Sequence, residues 1–295
     1  MIRAKAAIRA LAPFLAIGIA LIILAACKPA KQPGSGGVEL VVSVLPNQSP
    51  EQLKKKYRGL LTHLEKHTGY SLSLEIQDDY ESFSDAFASG SVDLGWFGGL
   101  TFVRAQDHGA EALVQRDVDA RFISLFVTRT GSDLQSLADL EGQTFTFGSR
   151  LSTSGHLMPR VFLQRNGIVP EQYFSAVSYT SGHDETMFDV RDGRADAGAV
   201  NSVIMRSMLD NGTLQEGQLT VVASTLPYSN YVWGVRSDMD PAVKTALRDA
   251  FLSLDRGSPE DALILGAHGA SYFMPVTSRV YEDVKAAAAE TGLLN

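Results

Sequence analysis

Phe147-Gly148-Ser149-Arg150-Leu151-Ser152-Thr153-Ser154-Gly155-His156-Leu157-Met158-Pro159 is the stretch on which the reading of the fold turns. Before it, Gln143 to Phe147 alternates and is aromatic and β-branched, which predicts a strand. After it, Leu157 to Asn166 predicts a helix closed by Gly167. Three hydroxyl side chains and a glycine therefore lie where a strand ends and a helix begins. Free backbone N–H groups and the helix dipole at such a point favour negative charge, and hydroxyls add donors that can turn toward an oxygen ligand. The plain alternative is that Ser152 or Thr153 only caps the helix.

Outward from this stretch, the same unit recurs. Val38 to Leu45, Leu72 to Ile76, Val92 to Phe97, Glu111 to Gln115 and Phe122 to Arg129 read as strands. Ala176 to Tyr179, Ala195 to Val200 and Leu219 to Ser224 continue the series. Helices are predicted over Glu51–Thr68, with Leu53, Tyr57, Leu60, Leu61 and Leu64 on one face, over Tyr80–Ser89, and from the Gly98-Gly99-Leu100-Thr101 turn to about His108. Others are predicted over 134–142, 184–192, 241–253, 259–266 and 280–291. Alternation with short connections predicts an α/β fold with mainly parallel sheets. VDLGWFGGLT (residues 92–101) and ADAGAVNS (195–202) share one design, a small-residue strand running into a helix start. Two similar lobes joined by two crossings follow, with ligand sites beyond the carboxyl ends of the strands. The donors at such ends are Asn47, Gln48, Gly98 to Thr101, Ser152 to Ser154, His183 and Asn201. Asp93 and Asp196 hold matching strand positions and are expected to be structural, because a buried carboxylate would repel an anion.

The first 26 residues read as an export signal, with Arg3, Lys5 and Arg9 ahead of an apolar run that is short for a membrane span. The run ends Leu24-Ala25-Ala26-Cys27, which resembles a bacterial lipobox; that resemblance implies a lipid on Cys27 and membrane anchoring. Cys27 is the one cysteine; with a lipid on it no thiol remains, which rules out intramolecular disulfides, thiolate catalysis and cysteine metal sites. Residues 27–37 read as a flexible tether. Losing the leader's three bases from 26 basic against 33 acidic residues leaves a net charge of −10. An acidic chain argues against nucleic acid and offers an anion no long-range attraction. An anion site must then be local, made from oriented dipoles.

The stretches SVLPNQSPEQLKKKY (43–57), DDYESFSDAFASGSVDLGWFGGLTFVRA (78–105), FGSRLSTSGHLMPR (147–160) and SGHDETMFDVRDGRADAGAVNS (181–202) resemble the phosphonate/phosphite-binding family of periplasmic ABC-importer proteins. Their wording comes nearest to a subgroup labelled selenate-binding. The resemblance implies a type II periplasmic-binding-protein fold, two α/β lobes joined by a two-strand hinge. The lobes are expected over 38–127 plus 228–295 and over 128–227. It also implies oxyanion binding through Ser152, Thr153 and Ser154, an oxyanion histidine at His183, a pocket tyrosine at Tyr80 and a Trp96-Phe97-Gly98 turn. Trp96 and Phe97 are expected in the pocket wall, beside Gly98, Gly99, Thr101 and Asn201. Relatives that hold an amine use acids near 201–204 and 228–231. This chain has none there, so a simple tetrahedral oxyanion fits better than an aminoalkyl phosphonate. Selenate, sulfate, phosphite, phosphate and alkyl phosphonates share that shape.

The expected protein is thus a monomeric lipoprotein of the periplasm or cell envelope that delivers an oxyanion to an inner-membrane permease, with no cofactor and no metal. An enzyme or ligand sensor on the same fold is the alternative. No free thiol, metal cluster or nucleophile elbow supports catalysis. His63 and His67 lie four apart on a helix face that reads as solvated, without a third ligand. His108 and His268 read as surface residues. His156 either faces the cleft or supports its helix end.

Overall fold

Two sheets organise the chain, and each is assembled in the same order. The computed structural model describes residues 39–294, so the expected leader, Cys27 and the tether lie outside the described residues. β1 (Glu39–Val44) leads into α1 (Pro50–Thr68), β2 (Ser71–Glu75) into α2 (Tyr80–Ala88), and β3 (Leu94–Phe97) into α3 (Gly99–Gln106), followed by β4 (Ala110–Arg116) and a 3-10 turn over Asp117–Arg121. The middle of the chain forms β5 (Ser124–Arg129), β6 (Thr144–Phe147), α4 (Met158–Arg165), α5 (Pro170–Tyr173), β7 (Ala176–Tyr179), α6 (His183–Arg191), β8 (Ala197–Asn201), α7 (Ser202–Asp210) and β9 (Leu219–Ser224). It returns through β10 (Val232–Arg236), α8 (Pro241–Leu252), α9 (Pro259–Ala267), β11 (Phe273–Pro275) and α10 (Glu282–Glu290).

The first sheet has the order β11-β4-β10-β3-β1-β2 and the second β7-β6-β8-β5-β9. In each, a central strand pairs in parallel with two neighbours, β1 with β2 and β3, and β6 with β7 and β8. The sheets are mixed rather than mainly parallel. β10 runs against β3 and β4, and β5 against β8 and β9. The reason lies in the connections. β10 starts opposite Phe97, at the carboxyl end of β3, and β5 starts opposite Asn201, at the carboxyl end of β8. A strand that arrives from the other lobe enters from the cleft side, so it must run against its hosts.

The crossings touch where Phe122 and Tyr228 pair as an isolated antiparallel bridge. All of β5 belongs to the second sheet, so the first crossing falls at Phe122–Ile123, ahead of the boundary expected after residue 127. The expected helix over 134–142 is only a 3-10 turn, Leu137–Leu140. β11 has three residues, too short for alternation to announce it.

Helix α1 follows from local chemistry. Ser49 and Gln52 form a capping box, Pro50 occupies the first turn, and Gly69 ends the helix at φ 74°. Its face of Leu53, Tyr57, Leu60, Leu61 and Leu64 is buried as expected, each leucine contributing about 1.5–3 kcal/mol. His63 departs from the expected solvated face. It is buried beneath α8, with Nε2 2.9 Å from the Ala250 carbonyl. His268 is also buried, its ring edge-on to Tyr57 at 4.9 Å. His108 is exposed.

The matching aspartates have matching roles. Asp93 accepts from the Val41 N–H at 2.8 Å, and Asp196 accepts from the Thr144 N–H at 2.9 Å and its hydroxyl at 2.6 Å. Each ties the entry of one strand to the start of its neighbour. Asp196→Ala should lower stability by about 1.5–3 kcal/mol, as for a hydrogen bond to a charged group. Urea denaturation showing an unchanged midpoint would contradict that role.

Candidate functional site

After β6 the chain does not enter an ordinary helix. The Ser152 hydroxyl accepts from the Gly155 N–H at 2.9 Å, and the first turn is a π-helix over Thr153–Leu157. The N–H groups of His156 and Leu157 both reach the Ser152 carbonyl. Capping and cleft-facing roles thus divide among neighbours: Ser152 caps, Thr153 reaches across the cleft, and Ser154 turns toward His183 and Asn201 of its own lobe. Gly155 is required here. A Cβ on it would lie 3.0 Å from the Gly148 Cα and 3.0 Å from the His183 Cε1.

The other lobe meets this turn with uncharged groups. Thr153 Oγ1 accepts from the Leu100 N–H, one of the free N–H groups at the start of α3, at 2.7 Å. Gly98 and Gly99 permit the approach; a Cβ on either would lie within 3.1–3.3 Å of the Thr153 side chain. The Tyr80 hydroxyl has the Ser152 side chain as a polar neighbour. Tyr231 Oη accepts from Asn47 Nδ2 and from Asn201 Nδ2, each at 3.1 Å. Asn201 Nδ2 also donates to Ser154 Oγ at 3.3 Å, and Ser154 Oγ lies 3.5 Å from His183 Nε2. Asn201 Oδ1 meanwhile caps α7 through the Ile204 N–H. Asn47, Tyr80, Ser152, Thr153, Ser154, His183, Asn201 and Tyr231 are all at most 4% exposed.

Beneath the network Trp96 stacks on Tyr231, with centroids 5.4 Å apart and planes 7° from parallel. The Arg116 guanidinium lies 5.1 Å from the Trp96 ring and 5.4 Å from the Tyr231 ring. It is locked onto Asp119 by two hydrogen bonds of 2.6 and 2.8 Å. Burial pulls against the charge on Arg116, but Asp119 outweighs it and the guanidinium stays charged. This pair supports the aromatic floor without presenting a charge to the cleft.

Of the residues expected at the site, Ser152, Thr153, Ser154, His183, Tyr80, Trp96, Gly98, Gly99 and Asn201 come together. Thr101 is adjacent, but its hydroxyl bonds to the Gly98 N–H and carbonyl, each at 3.1 Å. Phe97 is a correction. Side chains alternate along β3, so Phe97 turns away from Trp96 into the core, edge-on to Phe83 and Phe87. His156 supports its helix end: Nδ1 meets the Arg150 carbonyl at 2.7 Å and Nε2 accepts from Arg160. The sequence reading missed Tyr231 as a site residue and gave Arg116 and Asp119 no part in the site. The one advance signal was the position of Tyr231 just ahead of the return strand.

Each hydroxyl and amide here carries at least one proton that can be turned toward an oxygen ligand. Burial pushes the Tyr80 and Tyr231 hydroxyls up, so both keep their protons. Burial alone holds His183 down at about 4. An enclosed, neutral, donor-rich cleft is suited to an anion rich in oxygen, and a carboxylate is absent from the residues converging there.

Comparison with known proteins agrees with this geometry. Residues 42–281 match the sequence profile of a family described as ABC transporter, phosphonate, periplasmic substrate-binding protein. A Prochlorococcus marinus protein named "Probable ABC transporter phosphite binding protein PhnD1" is 29% identical over 259 residues, covering 83% of this chain and 87% of its own. The phosphate-import protein PhnD of Mycolicibacterium smegmatis is 27% identical over 298 residues, covering 92% of this chain and 93% of its own. The structure of Prochlorococcus marinus PhnD1 in complex with methylphosphonate superposes with a TM-score of 0.80 at 28% identity, covering 86% of this chain and 98% of that one.

His156 is also held at about 4, mainly by burial and then by the two neighbouring arginines against its carbonyl partner. Both imidazoles therefore stay neutral in the fold where the unfolded chain, titrating near about 6.5, takes up protons. Their stabilisation is whole above that value and is lost as pH falls toward 4, by about 1.4 kcal/mol per pH unit for each. Urea denaturation between neutrality and mild acid should show this slope, reduced in His183→Gln. An identical slope in the variant would contradict a neutral, buried His183.

Proposed function

The chain belongs to the family of periplasmic substrate-binding proteins of phosphonate ABC transporters, and on that premise we propose that its ligand is a small tetrahedral oxyanion held between the lobes by uncharged donors. The observation that carries the proposal is the network spanning the cleft. Asn47, Tyr80, Tyr231 and the α3 start come from one lobe, and Ser152 to Ser154, His183 and Asn201 from the other. A ligand that draws on both sets favours lobe closure, and the two crossings at Phe122 and Tyr228 serve as the hinge. The lobes in this reading are 39–122 with 228–294, and 123–227.

Phosphite, phosphate and methylphosphonate are named for the relatives; selenate and sulfate join them here because they share the shape. The amide of Asn201 stands where an acid would be needed to hold an amine, which favours a ligand without one. Hydrolysis is disfavoured. Ser154 and His183 approach each other, but the His183 Nδ1 has no partner to orient the ring as a base. We further assign lipid attachment to Cys27, monomeric function at the membrane surface, and delivery to the inner-membrane permease.

Calorimetry with phosphite, phosphate, methylphosphonate, selenate and sulfate tests the reading. At least one should bind stoichiometrically and without turnover. Thr153→Ala and Ser154→Ala should each weaken it by about 1–3 kcal/mol, roughly 5- to 150-fold in Kd. Unchanged affinity in both variants, or steady consumption of the anion, would overturn it.

A further inference from the structure

We infer that His183 takes up a proton as the oxyanion binds, so that the protein separates its ligands by whether they bring that proton or draw it from solvent. The inference rests on the oxyanion reading of the cleft and concerns the charge state in which the anion is held. His183 is 1% exposed, and its Nδ1 is buried without any hydrogen-bond partner. Its Nε2 has one neighbour, Ser154 Oγ, at the long distance of 3.5 Å. The Cε1 edge, between the two nitrogens, lies 3.0 Å from where a Cβ on Gly155 would stand. The imidazole is therefore laid against the Ser152–Gly155 turn with hydrogen-bonding capacity unspent, where water is excluded.

No other group facing the ligand can adjust its charge near neutrality. The hydroxyls of Ser152, Thr153 and Ser154 and the amides of Asn47 and Asn201 do not titrate there. Tyr80 from α2, and Tyr231 from the return crossing, are pushed up by burial. On the floor, Arg116 and Asp119 neutralise each other behind the Trp96–Tyr231 stack. Lys56 on α1 is pushed down to about 7 by burial and by Arg116, and lines a separate groove with Gln48, Val118 and His268. On the ring's own helix, Asp184 and Glu185 line an outer groove with Gln48, Asp78 and Arg194. Burial is the one influence resolved on His183, which holds it at about 4. A negative charge within hydrogen-bond reach raises such a pKa by about 1–3 units, enough for a dianion to bring the imidazole to about 5–7.

The proton balance differs with the ligand. A permanent dianion such as selenate binds neutral His183 and one solvent proton, leaving imidazolium beside dianion. A monoanion of phosphite or methylphosphonate carries its own O–H proton, shares or passes it to the free imidazole nitrogen, and takes none from solvent. Above the ligand's second ionisation the solvent proton is needed again. Either way the cleft holds one net negative charge instead of two, which lessens the cost of burying the anion.

Calorimetry on the full mature protein, in buffers of different ionisation enthalpy, counts the protons. At about pH 5, selenate binding should take up about half to one proton. Its affinity should fall by up to about tenfold per pH unit between the pKa of the free ring and that of the complex, and level off above the latter. Phosphite should take up none while it is a monoanion and about one when it is a dianion. His183→Gln should bind more weakly, with no uptake and a flat pH profile for selenate. In the wild type, 15N NMR of the imidazole should report a neutral ring without selenate and an imidazolium with it, a readout independent of the variant's folding. Wild-type binding without proton uptake, uptake that persists in His183→Gln, or a ring that stays neutral with selenate bound would each overturn the inference and leave the oxyanion reading standing. No heat with any of the five anions would overturn both.

Discussion

A doubly charged solute taken out of water must recover in the protein the hydrogen bonds it gave up, and this cleft offers them without a free cation. The backbone N–H groups where helices begin carry partial positive charge, and short hydroxyl and amide side chains extend the set. Fixed donors in a water-excluded site act at low effective dielectric, so they need not be charged to be effective. The Arg116 guanidinium lies against Trp96 and Tyr231, already paired to Asp119. Its visible task is to stiffen the floor. Removing it would strand a buried carboxylate, a change that commonly costs about 3–5 kcal/mol.

The architecture follows from the need to bring such donors from two directions. Parallel strands end at the cleft, and their following helices begin there, in both lobes. The crossing strands β5 and β10 enter at those same ends and are therefore antiparallel to their hosts. One consequence is that Asn201, at the end of β8, and Tyr231, just ahead of β10, lie close enough to share a hydrogen bond. Another is that Gly98 and Gly99 let the start of α3 meet the Thr153 side chain. The cleft is thus a property of the sheet order, and the donors are what the sequence places at its edges.

Much of this was legible in residue order. The Ser-Thr-Ser-Gly turn, the repeated strand-to-helix design and the paired aspartates were all visible as local chemistry, and each holds its expected place. What local reading missed was decided at long range. Strand direction depends on where a crossing enters, which no stretch of residues records by itself. His63 and His268 lie in polar or small-residue contexts, yet α8 and Tyr57 cover them. Tyr231 acquires its role only when Asn47 and Asn201, far away in the chain, arrive at its hydroxyl. Phe97 is different: the period-two alternation of a strand already separated it from Trp96, and the shared wording of the turn obscured that.

The most direct measurement is a crystal structure of the mature protein grown with selenate, using the anomalous scattering of selenium to locate the anion. This account places one selenium peak between the lobes, with selenate oxygens about 2.7–3.2 Å from hydroxyls or N–H groups of the Ser152–Ser154 turn, from His183 and from at least one donor of the facing lobe. A peak held instead by surface lysines or arginines, with the cleft network unchanged, would contradict it.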